Sequence, residues 1–116
     1  MKTKITRDGH KNVVVMVHGE ISEKGLSKTT VLDIKEMEGS PKGFKLDQIQ
    51  YTVSKDVTIE LGFSKDGFLL PIEGRGLLNY YPFDSLQPSS LGQSLWIRST
   101  AKSGSFHLVL DCTKIE

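Results

Sequence analysis

Val57-Thr58-Ile59-Glu60-Leu61-Gly62-Phe63-Ser64-Lys65-Asp66-Gly67 is the stretch that decides the fold. Val57, Ile59, Leu61 and Phe63 fall on one side of an extended chain, and Thr58, Glu60, Gly62 and Ser64 on the other. That period of two describes a strand with one face against a core. Lys65-Asp66-Gly67 reads as a hairpin turn, because Asp-Gly supplies the φ > 0 residues that primed turns need. Phe68 to Glu73 returns as the next strand. Pro71 cannot donate to a ladder, so this strand is expected at an edge or distorted there.

Upstream the same grammar continues. Phe44 to Ser54 is a strand in which Ile49, Tyr51 and Val53 alternate with Gln48, Gln50 and Thr52. Phe44 and Leu46 are in the opposite phase, which predicts a bulge or an edge change near Asp47. Glu38 to Gly43 is a turn by composition. Lys28 to Glu36 forms another strand, with Thr30, Leu32 and Ile34 on one side. Asn12 to Ile21, NVVVMVHGEI, is too dense in β-branched residues for a helix. Val13, Val15 and Val17 share one face, and Val14, Met16 and His18 the other. Residues Met1 to Lys11 are polar and are expected to form an arm or a frayed terminus. Downstream, Ser94 to Thr100 and Ser105 to Ile115 are two strong strands, with Phe106, Leu108, Leu110 and Cys112 on one face.

No stretch of ten residues shows a helical period. The expectation is an all-β, single-domain, antiparallel β-sandwich or jelly-roll of seven to eight strands. It would comprise a polar arm, residues 1–11, and a sandwich domain, residues 12–116. The chain has 116 residues, 37% of them apolar and 25% charged, which suits one domain with a real core. No apolar run approaches the ~18 residues of a membrane span, and no signal peptide precedes the first strand. A soluble protein made in a cytosol is expected, with no membrane partner.

Net charge is +1, from 15 basic and 14 acidic residues. That argues against a nucleic-acid partner, whose phosphates call for a basic excess. Lys2, Lys4, Arg7 and Lys11 form a weak basic cluster, either a solvated tail or an arm touching an acidic partner. The single cysteine, Cys112, excludes a disulfide framework and a cysteine zinc cluster, and reads as a half-buried structural thiol. His10, His18 and His107 are isolated in sequence. Gly74-Arg75-Gly76 lacks the phosphate-loop spacing, and there is no GxSxG elbow. Asp56 and Glu60 read as solvent-facing carboxylates on a strand. No catalytic, metal or cofactor residue is assigned, and no enzyme is expected.

Gly74 to Leu91 is the candidate for function. It is long for a connection and carries Leu77, Leu78, Tyr80, Tyr81, Phe83 and Leu86. Rigid amphipathic aromatics suit an interface anchor, and they equally suit the closure of an open sandwich end. Trp96 poses the same choice, because it is out of phase with Leu95 and Ile97. The candidate partner-interface residues are therefore Leu77, Tyr80, Tyr81, Phe83, Leu86 and Trp96, with Lys2, Lys4 and Arg7 as an electrostatic addition.

The order NVVVMVHG, TTVLD, GFKLDQIQYTVS, VTIELGFS, GRG, an aromatic segment, SLWIRST and SGSFHLVLDCTKIE resembles a family of small proteins from the structural gene blocks of tailed, often marine, bacteriophages. The resemblance spans nearly the whole chain as a pattern of strands, without a catalytic signature. It departs at Gly62-Phe63-Ser64, where the family usually has Trp-Asp. It implies a virion component, a capsid cement or decoration protein. The implied partner is the major capsid protein or another virion protein, with homo-oligomerisation as a further option. A tail, neck or fibre-associated protein would share these features. A carbohydrate-binding module, with Trp96, Tyr80 and Tyr81 as a stacking platform, is the alternative of another class.

Overall fold

The computed structural model describes residues 1–39, 41–63, 70–79, 94–99 and 103–115. These form nine strands: β1 (Lys2–Asp8), β2 (Asn12–Ile21), β3 (Leu26–Asp33), β4 (Gly43–Val53), β5 (Thr58–Phe63), β6 (Leu70–Glu73), β7 (Arg75–Asn79), β8 (Ser94–Ser99) and β9 (Gly104–Ile115). Their pairing is nested. β5 pairs with β6, β4 with β7, β3 with β8 and β2 with β9, all antiparallel. A long hairpin folded over on itself has this connectivity, and it defines a jelly-roll. Two sheets result, one in the order β1-β2-β9-β4-β7 and the other β3-β8-β5-β6.

The period-two patterns decide which sides meet. Val57, Ile59, Leu61 and Phe63 are all buried, as are Phe106, Leu108, Leu110 and Cys112. Val13, Val15 and Val17 join them from β2. Phe44 on β4 and Phe63 on β5 meet across the core, with ring centroids 5.6 Å apart in a tilted arrangement. The phase change expected near Asp47 is a bulge. Leu46 pairs with Cys112 and Gln48 with Asp111, leaving Asp47 extra. That shift lets Phe44 and Leu46 share the core with Ile49 and Val53. Asp47 itself is buried and accepts a hydrogen bond from the Thr113 hydroxyl. Pro71 lies on β6, an edge of its sheet, as a residue without an N–H requires.

Three expectations change. Residues 1–11 are not a free arm: Lys2–Asp8 adds to the edge of the larger sheet beside β2. Only Ile5 in that segment is a sizeable aliphatic, so its strand signal is faint. The strand expected over Lys28 to Glu36 runs instead from Leu26 to Asp33, followed by a 3₁₀ turn over Ile34–Glu36. The Asp33 carboxylate accepts from the Lys35 N–H at 2.9 Å, and this local bond favours the turn over further ladder. Finally, Gly74 to Leu91 does not begin as a loop. Gly74 takes a φ of 70°, and the chain then enters β7 beside β4. The strands number nine rather than seven or eight because β1 and β7 join the count.

One end of the sandwich is locked by a buried charge. Lys114 follows the inward phase of β9 beyond Cys112, where apolar cover ends. Its side chain is 3% exposed. Its ammonium donates to the Asp8 carboxylate, to the Gly9 carbonyl at 2.8 Å and to the Glu38 carbonyl at 2.9 Å. Three donors meet three acceptors, which is the condition under which a buried lysine is tolerated. Asp8 also accepts the Glu38 N–H at 2.9 Å. Through this cluster β9, the end of β1 and the Glu38 turn are tied together.

Candidate binding face

The outward positions of the five-stranded sheet form continuous cross-strand rows. One row runs Lys2, His18, His107, Thr52, Arg75. The next runs Lys4, Met16, Val109, Gln50, Leu77. Neither row contains a carboxylate. Each crosses four strand gaps, roughly 19 Å at the usual spacing of strands. The strands set these side chains outward because their alternates are core: Val15 and Val17 on β2, and Leu108 and Leu110 on β9.

The two rows differ in chemistry. In the first, the His18 and His107 rings stack with centroids 6.2 Å apart, and a cation stands at each end. In the second, Met16 and Val109 are half-buried and Leu77 is 54% exposed. Val14 extends this apolar ground into a third row, Arg7, Val14, Asp111, Gln48. Gln50, Thr52, Arg75, Leu77, His107 and Val109 help to line a shallow depression of about 390 Å³ on this face. Burial pushes the Asp111 carboxyl above the usual range. The Asp47 charge adds to that shift and the Arg7 charge opposes it.

Trp96 has a different setting. It does point away from Leu95 and Ile97, on the outer side of the four-stranded sheet, between Thr30 on β3 and Gly62 on β5. It is nonetheless 5% exposed. Gly62 has no side chain to displace the indole. The Lys28 ammonium lies 4.4 Å from its ring centroid and the Arg98 guanidinium 5.4 Å from it. Glu60 accepts from Arg98 Nε at 3.3 Å and holds that guanidinium in place. The indole N–H meets no acceptor among the described residues. Trp96 is thus an outer packing layer, largely buried beneath Lys28 and Arg98, rather than an open side chain.

No family model matches the chain. No curated protein matches it. Among solved structures it is similar to the virus-like particle of extra small virus from the giant freshwater prawn Macrobrachium rosenbergii. Identity is 19%, over 97% of this chain and 84% of that one, with a TM-score of 0.40. The jelly-roll assignment rests on the strand pairing alone.

Of the residues that sequence reasoning selected, Lys2, Lys4 and Arg7 lie on the β1 edge of the larger sheet's outer face and Leu77 on the opposite β7 edge. Tyr80, Tyr81, Phe83 and Leu86 lie outside the described residues. Met16, His18, His107, Val109 and Arg75 were missed. The first four were present in the sequence as the second phase of β2 and β9, whereas Arg75 opens β7, a strand the sequence did not mark. They become a site only once the register sets the two histidines opposite each other.

Proposed function

We propose that this chain is a structural protein of a tailed-phage particle, a cement or decoration protein that binds the capsid lattice. One observation carries the reading: the nested jelly-roll, an architecture that recurs in virus shells, accounts for nearly every described residue. Fold is only a scaffold for function, so the sequence resemblance to phage structural proteins supplies the rest. The physics suits the role. A cement protein needs a stable fold whose sheet edges resist stray pairing, and an outer face with modest apolar content. Repeated on a symmetric lattice, weak contacts gain strength through avidity. Contacts that exist only in the assembled shell stabilise that shell by mass action. Tyr81 and Phe83, which follow β7 in sequence, belong to the same proposed interface.

The test compares particles assembled with and without this protein for heat-induced genome release. Release at lower temperature without it supports cementing. Identical release profiles would contradict it.

A further inference from the structure

We infer that the outer face of the five-stranded sheet docks an acidic protein surface. This rests on the binding role proposed above and names its surface and the chemistry of its partner. The two central rows hold three permanent cations, Lys2, Lys4 and Arg75, and two imidazoles, with no carboxylate among their ten residues. The whole chain is nearly neutral, so this is a local asymmetry. The outer side of the four-stranded sheet shows the contrast. There the cations Lys28 and Arg98 are engaged on Trp96, and Glu60 pairs Arg98.

The layout selects the class of partner. Cations stand at the edges of the face, on β1 and β7, and the apolar residues Met16 and Val109 lie between them. An apolar centre inside a charged rim is the anatomy of a protein interface. A nucleic acid would call for a continuous cationic track and aromatic stacking platforms. The central rows offer only the two histidine rings as flat groups. A second copy docking face to face would set these cations against their own kind, and like charges brought close repel. A partner with carboxylates at its margin and an apolar middle answers both features. Leu77, open to solvent on β7 beside Arg75, extends the apolar contact to that edge.

The probe is an acidic peptide of about twelve residues repeating two glutamates and a leucine, titrated into the full chain and followed by NMR amide shifts. A single-stranded DNA oligonucleotide of equal length is titrated in parallel. The expected shifts cluster at Met16, His18, Thr52, Leu77 and Val109. Binding should weaken steeply as salt shortens the Debye length from about 8 Å to about 3 Å. Lys4→Glu with Arg75→Glu should lower affinity about tenfold or more without changing Tm. Leu77→Ser should lower it while leaving the salt dependence intact. Shifts confined to the four-stranded sheet, tighter binding of the DNA, or unchanged affinity in the double variant would each overturn the inference. Particles separate the two claims. If Lys4→Glu, Arg75→Glu protein still incorporates normally, the face is wrong and the virion role stands. If wild-type protein is absent from particles while the peptide result holds, the virion role fails and the face stands.

Discussion

Leu61 shows at a single residue how the pattern becomes stability. It is fully buried between the sheets, opposite Ile97 on one neighbour and Leu70 on the other. Leu61→Ala removes apolar area and leaves a cavity, so urea denaturation should show a loss of about 2–5 kcal/mol. Two aspartates give opposite pH signatures. The Lys114 hydrogen bond holds the Asp8 carboxyl below its ordinary 3.8; burial opposes this, while the Glu38 N–H and the Lys114 charge reinforce it. Its stabilisation is therefore fully present above the unfolded value and is lost as pH falls through the lower folded value. Asp111 is raised, by burial first and then by Asp47. Folding favours its protonated form, so that contribution is present at low pH and lost as pH rises through the folded value. Asp111→Asn should accordingly raise Tm at pH 7, and the advantage should disappear below about pH 3, where both states of the wild type are protonated. Thermal scans across pH check the sign. Cys112 was legible as a structural thiol: it is wholly buried, and burial, then the charges of Asp47 and Asp111, push its pKa well up.

Among the elements, legibility followed the clarity of alternation. β5 and β9 were plain because alternate residues are apolar, through Ile59, Leu61 and Phe63 in one and from Phe106 to Cys112 in the other. The Asp47 bulge was readable because Phe44 and Leu46 break phase with Ile49. In β3, Val31 and Leu32 are both buried and the register slips between Thr30 and Leu32. Two adjacent apolar residues fit either phase, so that bulge left no mark in the pattern. β1 was hidden because an edge strand facing solvent alternates lysine and threonine, and its lysines also discourage edge pairing with other chains. β7 was hidden behind glycines. Gly74 carries the chain from the smaller sheet to the larger with φ at 70° and open space around its Cα. Gly74→Ala should therefore cost about 1–2 kcal/mol through backbone strain alone, visible as a lowered Tm with unchanged peptide binding. The proposed binding face could not be read from any one element, because its rows exist only across five strands.

For the molecule as a whole, the nested pairing brings Asn12 against Thr113 and Lys2 into a sheet with Arg75. Such contacts are distant in sequence, so refolding should be slow, in the range of milliseconds to seconds. Far-ultraviolet circular dichroism should show a β spectrum with less than about a fifth helix, against about a third in ordinary domains. Stopped-flow refolding in microseconds would contradict the nested topology. The central claim is that this jelly-roll serves as a bound structural subunit, and one measurement addresses it directly: mass spectrometry of purified phage particles. This chain should appear among the particle proteins, in a fixed ratio to the major capsid protein that survives repeated gradient purification. Its absence from particles of full infectivity would show that it is not a structural subunit of the shell.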